Sequence, residues 1–203
     1  MREEVTRERV IDVATRLFAG LGYDMTSLEL VADSVGVSVS TVVGLAGDKR
    51  QLYLQMMDRM YEEHRGRIQE VIDRTESPYE AAHQIADAYM DVFLANPDLL
   101  ALWAQRWASD ATGIPEVEDL YTRPLMQMSA RKIKDVVPPD LGPYAFLGVV
   151  IWCVNGFLST GLLAPKKGML RSDDVQARNY FRAILHIIVD RMLAPPPTTP
   201  PPA

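Results

Sequence analysis

The sequence predicts an all-α protein: an N-terminal three-helix helix-turn-helix domain followed by a larger helical domain, about nine helices in total. Three observations carry this reading. Apolar residues recur at three- and four-residue spacing along most of the 203-residue chain. Capping residues and glycine or proline punctuate that pattern at helix-length intervals. No segment of useful length shows the two-residue alternation of a strand.

Thr6 is placed to cap a first helix to about Ala19, with Val10, Ile11, Ala14, Leu17 and Phe18 on one face. Gly20 and Gly22 end it. Thr26 and Glu29 read as a capping box for a second helix with inner residues Leu28, Val31, Ala32 and Val35. Gly36 supplies the turn, Ser38 caps a third helix, and Asp48 caps a long fourth one carrying Leu52, Met56, Met60 and Tyr61. Ser77-Pro-Tyr-Glu80 opens a fifth helix to about Ala95, with Pro at its first position. Asn96-Pro97 restarts the chain as a sixth helix through Trp103 and Trp107, and Asp110 to Pro115 is a loop. A seventh helix runs to about Val137, bent near Pro124, and Pro138 to Gly142 is a linker. The eighth spans about 143–164, Pro165 to Arg171 is a loop, and Ser172 caps a ninth to about Leu193. The resulting organisation is a helix-turn-helix domain at 1–51, a second helical domain at 52–193 and a disordered Pro-rich tail at 194–203.

Helix, glycine turn and helix in residues 26–49 form a unit that proposes duplex DNA as a partner. Its charge is unusual for that role. Residues 1–51 hold Arg2, Arg7, Arg9, Arg16, Lys49 and Arg50 against eight carboxylates, within a chain of net charge −6. DNA-binding units are ordinarily basic, so binding here rests on a few placed groups and on dimerisation.

The single cysteine, Cys153, rules out an intrachain disulfide and suits a reducing, cytoplasmic setting. The charged N-terminus lacks the apolar core of a signal peptide. Leu141 to Pro165 is free of charge and long enough to span a membrane, with Lys166 and Lys167 after it. Its Asn155, Ser159, Thr160 and four glycines favour a helix buried between two protein layers. No nucleophile motif, phosphate loop or metal-protease signature is present, and His64, His83 and His186 are scattered. No enzyme, cofactor or metal is therefore expected; His83 and Asp87, four residues apart, suit a solvated face better than a metal pair.

The segments Arg9-Val-Ile-Asp-Val-Ala-Thr-Arg-Leu-Phe18, Gly22-Tyr23, Thr26, Val31-Ala32, Gly36-Val37-Ser38, Thr41, Lys49 and Leu52 resemble the TetR family of transcriptional regulators. The motif covers about the first 55 residues; beyond it the likeness is one of layout, with residues 75–193 resembling the family's ligand-binding and dimerisation domain. Family members typically read Thr-Leu-Tyr-x-His-Phe-x-x-Lys through the third helix. Here the tyrosine set against a phosphate is Val43, and the aromatic beneath the recognition helix is Ala46. Gly44 weakens the helix by roughly 1 kcal/mol relative to Ala.

The resemblance implies a homodimer that reads a near-palindromic operator, with the third helix in the major groove. Thr26, Ser38, Val39, Ser40, Thr41, Val43 and Lys49 are the expected DNA-contacting residues: hydroxyls for phosphates or base edges, Val39, Val42 and Val43 for thymine methyls, Lys49 for a phosphate. Tyr89, Met90, Phe93, Trp103, Trp107, Tyr121, Met126, Met128 and Trp152 are large, adaptable side chains suited to an apolar or aromatic small molecule, with Asn155 or Gln105 as a polar handle. The helices near 143–164 and 172–193 are the expected dimer face, the ninth offering Ala177, Phe181, Ile184, Leu185, Ile188 and Met192. The leading expectation is a repressor released by that ligand, with no membrane involved. The alternative is a protein of the same fold that has lost DNA reading and binds a small molecule or partner. Membrane anchoring through residues 143–164 is a third reading.

Overall fold

The computed structural model describes residues 5–108, 110–164 and 168–193. The Pro-rich tail and the Lys166-Lys167 flank lie outside them. The chain divides into two compact units, Met1–Glu63 with Asn96–Arg123, and His64–Ala95 with Pro124–Ala203.

The first unit begins with α1, Arg7–Leu21, capped by the Thr6 hydroxyl accepting from the Arg9 N–H. Its buried face is Val10, Ile11, Ala14 and Phe18, and burying each large apolar side chain contributes about 1.5–3 kcal/mol. Gly22 stops it at φ +83°, and there only glycine fits, because a Cβ would also meet the Asp110 carboxylate at 3.0 Å. α2 follows at Leu28–Val35, and its cap is Ser27, not Thr26. Thr26 is 1% exposed and its hydroxyl donates to the Gly22 carbonyl at 2.7 Å. Burial and that bond remove it from the capping position, so the adjacent serine accepts from the Leu30 N–H instead. Gly36, left-handed at φ +83°, ends α2, and the N–H groups of Gly36 and Val37 both reach the Ala32 carbonyl. α3, Val39–Ala46, starts at the Ser38 cap and meets α2 at 98°.

α4, Lys49–Arg74, opens on a reciprocal box in which Gln51 N–H donates to Asp48 at 2.8 Å and Asp48 N–H donates to Gln51 at 2.9 Å. Its Leu52, Tyr53 and Met56 are buried, and Phe18, Tyr23 and Tyr53 make an aromatic cluster with centroids 4.9 to 5.8 Å apart. α6, Pro97–Trp107, packs along α1. Beyond the following loop the chain makes a π-helical turn, Glu118–Thr122, before α7, Arg123–Ile133. The turn widens just before Pro124, where the sequence predicts a bend. Proline lacks an N–H and its ring crowds the carbonyl four residues back, and the widened turn, with Arg123 N–H reaching Glu118, meets that constraint.

The second unit contains the later part of α4, α5 (Pro78–Ala95), α7 from Pro124 to Ile133, α8 (Pro143–Thr160) and α9 (Val175–Met192). α5, α8 and α9 pack on one another, and Phe157 of α8 stacks on Phe181 of α9 at 4.1 Å. α8 is long and apolar enough to cross a membrane, and 39% of it is buried within the chain. It ends at Thr160 rather than 164, and the expected loop is partly a hairpin of β1 (Leu162–Ala164) with β2 (Gly168–Leu170). Strands of three residues are too short to show alternation in sequence. α9 starts two residues later than expected, capped by Asp174, because the Ser172 hydroxyl instead donates to the Leu158 carbonyl. Ala177, Phe181 and Leu185 of its apolar stripe are buried, joined by Val189.

Candidate nucleic-acid interface

α3 packs on α1 and α2 through its inner side and exposes the hydroxyls of its first turn. The Ser38 hydroxyl accepts from the Thr41 N–H and lies 2.8 Å from both the Ser40 and Thr41 hydroxyls. Three linked hydroxyls thus ring the N-terminal end of the helix, where the dipole favours an anion and no carboxylate stands in the first turn. Val42 and Ala46 are buried and hold the inner side. Val42 is therefore core and is not available to a thymine methyl. Ser40, Thr41 and Val43 are exposed, Val43 to 43%, and Val39 is half-buried.

The α2 terminus is occupied differently. Glu29 lies in its first turn, and hydrogen bonds from its own backbone N–H and from Ser27 hold its carboxyl below the usual range. That negative charge competes with a phosphate for the same helix end. Thr26, expected to touch a phosphate, is buried with its hydroxyl committed.

Lys49 is placed by two contacts. Its ammonium sits 4.3 Å from the Tyr23 ring centroid and donates to the Asp24 carbonyl at 3.4 Å. Tyr23 is itself fixed, because its N–H donates to Asp110 Oδ2 at 2.6 Å while Asp24 N–H donates to Oδ1 at 2.9 Å. Burial and the carboxylates around it raise the Tyr23 phenol above its ordinary pKa. Two other cations are paired, Arg50 with Glu116 and Arg59 with Asp12 at 2.7 Å. Sequence reasoning missed Ser27, Tyr23 as the platform for Lys49, and Asp110. The Thr26-Ser27 pair signals two possible caps, whereas nothing local marks Asp110, 87 residues from its partner.

Of the expected ligand-contacting residues, Tyr89, Met90, Phe93, Met126, Trp152 and Asn155 belong to the second unit, and Trp103, Trp107 and Tyr121 to the first. Met90, Phe93 and Asn155 are buried, while Trp152 is 71% exposed. Trp107 is exposed, and Trp103 tilts against it at 6.4 Å. Tyr121 is buried and donates to Asp58 at 2.8 Å. His83 pairs with Asp190 and Asp87 with Arg182 and His186, and the His186 ring also meets that of His83 at 4.9 Å. No cluster suited to a metal occurs among the described residues.

Residues 10–56 match the model of bacterial regulatory proteins of the tetR family. No curated protein sequence matches the chain. Among solved structures, the ketosteroid transcriptional regulator KstR2 of Mycobacterium tuberculosis superposes with a TM-score of 0.65 at 16% identity, over 96% of this chain and 98% of its own. A tetR family regulator from Shewanella sp. PV-4 gives 0.70 at 18%, over 95% and 100%. PfmR of Thermus thermophilus, also a TetR family regulator, gives 0.63 at 20%, over 95% and 100%.

Proposed function

We propose that this chain, which carries a TetR-family helix-turn-helix at residues 10–56 on the fold of that family's regulators, is a homodimeric, cytoplasmic repressor of transcription that a small apolar or aromatic molecule releases from DNA. The observation that carries the DNA reading is α3: nearly perpendicular to α2, with Ser38, Ser40 and Thr41 grouped at its N-terminal end and Val43 exposed beyond them. In a major groove this end would set hydroxyls against phosphates and base edges and Val39 and Val43 against thymine methyls, with Lys49 at the flanking backbone. Thr26, buried with its hydroxyl bonded to the Gly22 carbonyl, takes no part.

Dimerisation is supported by the apolar residues that α8 and α9 leave exposed, Tyr144, Trp152, Tyr180 and Ile187. A two-fold axis would bring these helices together as a four-helix bundle. Ligand would act by binding one spacing of the two recognition helices better than the other, which requires no catalysis and no cofactor.

Selection of genomic fragments by the purified protein, at low and then physiological salt, tests this. Enrichment of one near-palindromic sequence supports the regulator. Because few cations are available, binding should fall less steeply with salt than for a basic repressor. Recovery of no fragment at either salt favours the second reading, a small-molecule or partner-binding protein that no longer reads DNA, to which the tethering of Lys49 and the valine at 43 point.

A further inference from the structure

Two buried polar side chains in the second unit have unused hydrogen-bonding capacity. His64 on α4 is 3% exposed, and its Nε2 has no partner. Asn155 on α8 is 6% exposed, and neither its Oδ1 nor its Nδ2 has one. Buried polar groups are ordinarily paired, and an amide with both ends unused is exceptional. The surroundings of His64 are aromatic. The His64 ring meets Tyr89 at 4.6 Å and Phe93 at 6.0 Å, both on α5, and α5 packs in turn on α8.

We infer that this unit binds an uncharged, largely apolar molecule bearing a hydroxyl or carbonyl oxygen, which His64 Nε2 and the Asn155 amide recognise by hydrogen bonding. The inference rests on the ligand-responsive reading above and names the chemistry of the ligand. An amide offers a donor and an acceptor, and a neutral imidazole offers one or the other at Nε2 according to its tautomer. A hydroxyl complements both residues and a ketone complements the donors. Burial also keeps the imidazole neutral, pushing His64 down to about 4. With no fixed cation on either residue, a carboxylate entering here would surrender its hydration without a counter-charge. The aromatic neighbours suit the ligand's apolar body.

The test uses the full-length protein and two probe series. One is decan-1-ol, 2-decanone, decane and decanoate; the other is 2-naphthol, naphthalene and 2-naphthoate. Binding is followed by calorimetry and by thermal shift at pH 7.5. The alcohol or ketone of at least one series should bind at least tenfold more tightly than both its hydrocarbon and its carboxylate. His64→Leu and Asn155→Leu should each cut that preference at least fivefold while melting no lower than the parent, since each removes an unsatisfied group. Should a leucine variant fail to fold, the Asn155 side-chain amide resonances of the parent protein decide, shifting with the hydroxyl probe and not with the hydrocarbon. Equal or tighter binding of the carboxylates, preference unchanged in both variants, or no binding by any probe overturns the inference. A hydroxyl probe that binds as expected yet leaves DNA retention unchanged sustains the site and defeats the repressor-release reading instead.

Discussion

The Asp110 carboxylate holds the backbone of Tyr23 with one oxygen and that of Asp24 with the other, at 2.6 and 2.9 Å. Both donors lie in the turn between α1 and α2, which has no other source of acceptors for them in regular structure. The Tyr23 ring then carries the Lys49 ammonium. Asp110→Ala leaves two N–H groups without their charged acceptor and should destabilise the protein by about 2 kcal/mol, given the partial exposure of the site. Asp110→Asn retains one acceptor and should lose roughly half as much. Urea unfolding measures the cost, and amide exchange at Tyr23 and Asp24 should accelerate in both variants.

Arg106 organises the loop that presents Asp110. Its guanidinium is bidentate with Glu118 at 2.8 and 2.7 Å and donates to the carbonyls of Ala111 and Ile114. The Glu118 pairing raises the Arg106 pKa and lowers that of Glu118. A lysine cannot reproduce this planar fork. Arg106→Lys should therefore cost about 2–4 kcal/mol and speed exchange at Tyr23 and Asp24 in the manner of Asp110→Ala. If the two act through one loop, the double variant will be less destabilised than the two costs added, which a double-mutant cycle reads directly. Simple additivity would separate Arg106 from the clasp.

These two residues mark where sequence reasoning stops. α1, α3 and α4 were legible because Thr6, Ser38 and Asp48 cap locally and the glycines that end α1 and α2 stand within their own turns. The α2 cap slipped by one residue because the Thr26 hydroxyl bonds the Gly22 carbonyl four residues earlier, a local alternative to capping that the adjacent Ser27 leaves open. The hairpin after α8 was hidden by strand length, and the π-turn before Pro124 shows in sequence only as a bend. Of the recognition surface, Ser38, Ser40, Thr41 and Val43 stand on the exposed side of α3, while Val42 faces inward. Asp110 and the buried isolation of His64 follow from long-range packing, which no local pattern encodes.

His64 should make stability depend on pH. Burial pushes its imidazole down to about 4, against about 6.5 in the unfolded chain. Between those values the unfolded chain binds a proton that the folded chain refuses. This contribution is thus fully present above pH 6.5 and declines as pH falls to about 4, by about 3 kcal/mol in total. His64→Leu should flatten the corresponding part of the curve. Urea unfolding of both proteins at pH 7.5, 5.5 and 4.5 should show the gap between them widening in favour of leucine at the lower values; a constant gap would mean that His64 titrates alike in both states.

Gly44 stands inside α3, where a Cβ would meet nothing within 4 Å. Its backbone is helical, so alanine gains helix propensity without strain. Gly44→Ala should raise stability by about 1 kcal/mol, and the melting temperature by roughly 2–4 °C for a chain of this size. A scanning calorimetry trace checks it.

Val43→Tyr tests α3 as a DNA-reading helix. The position is exposed, so a larger side chain enters solvent rather than the core, and stability should change by no more than about 0.5 kcal/mol. A phenol adds a neutral donor to a charged phosphate, a bond worth about 1.5 kcal/mol, or roughly tenfold in affinity. Val43→Phe supplies the ring without the donor. Titration of all three proteins against the most enriched genomic fragment should show tyrosine tighter than valine, with phenylalanine close to valine. Equal gains from both aromatics would assign the effect to added surface instead of the hydroxyl. If parent and variants alike retain no fragment, the missing tyrosine is not what limits binding, and the reading without DNA recognition stands.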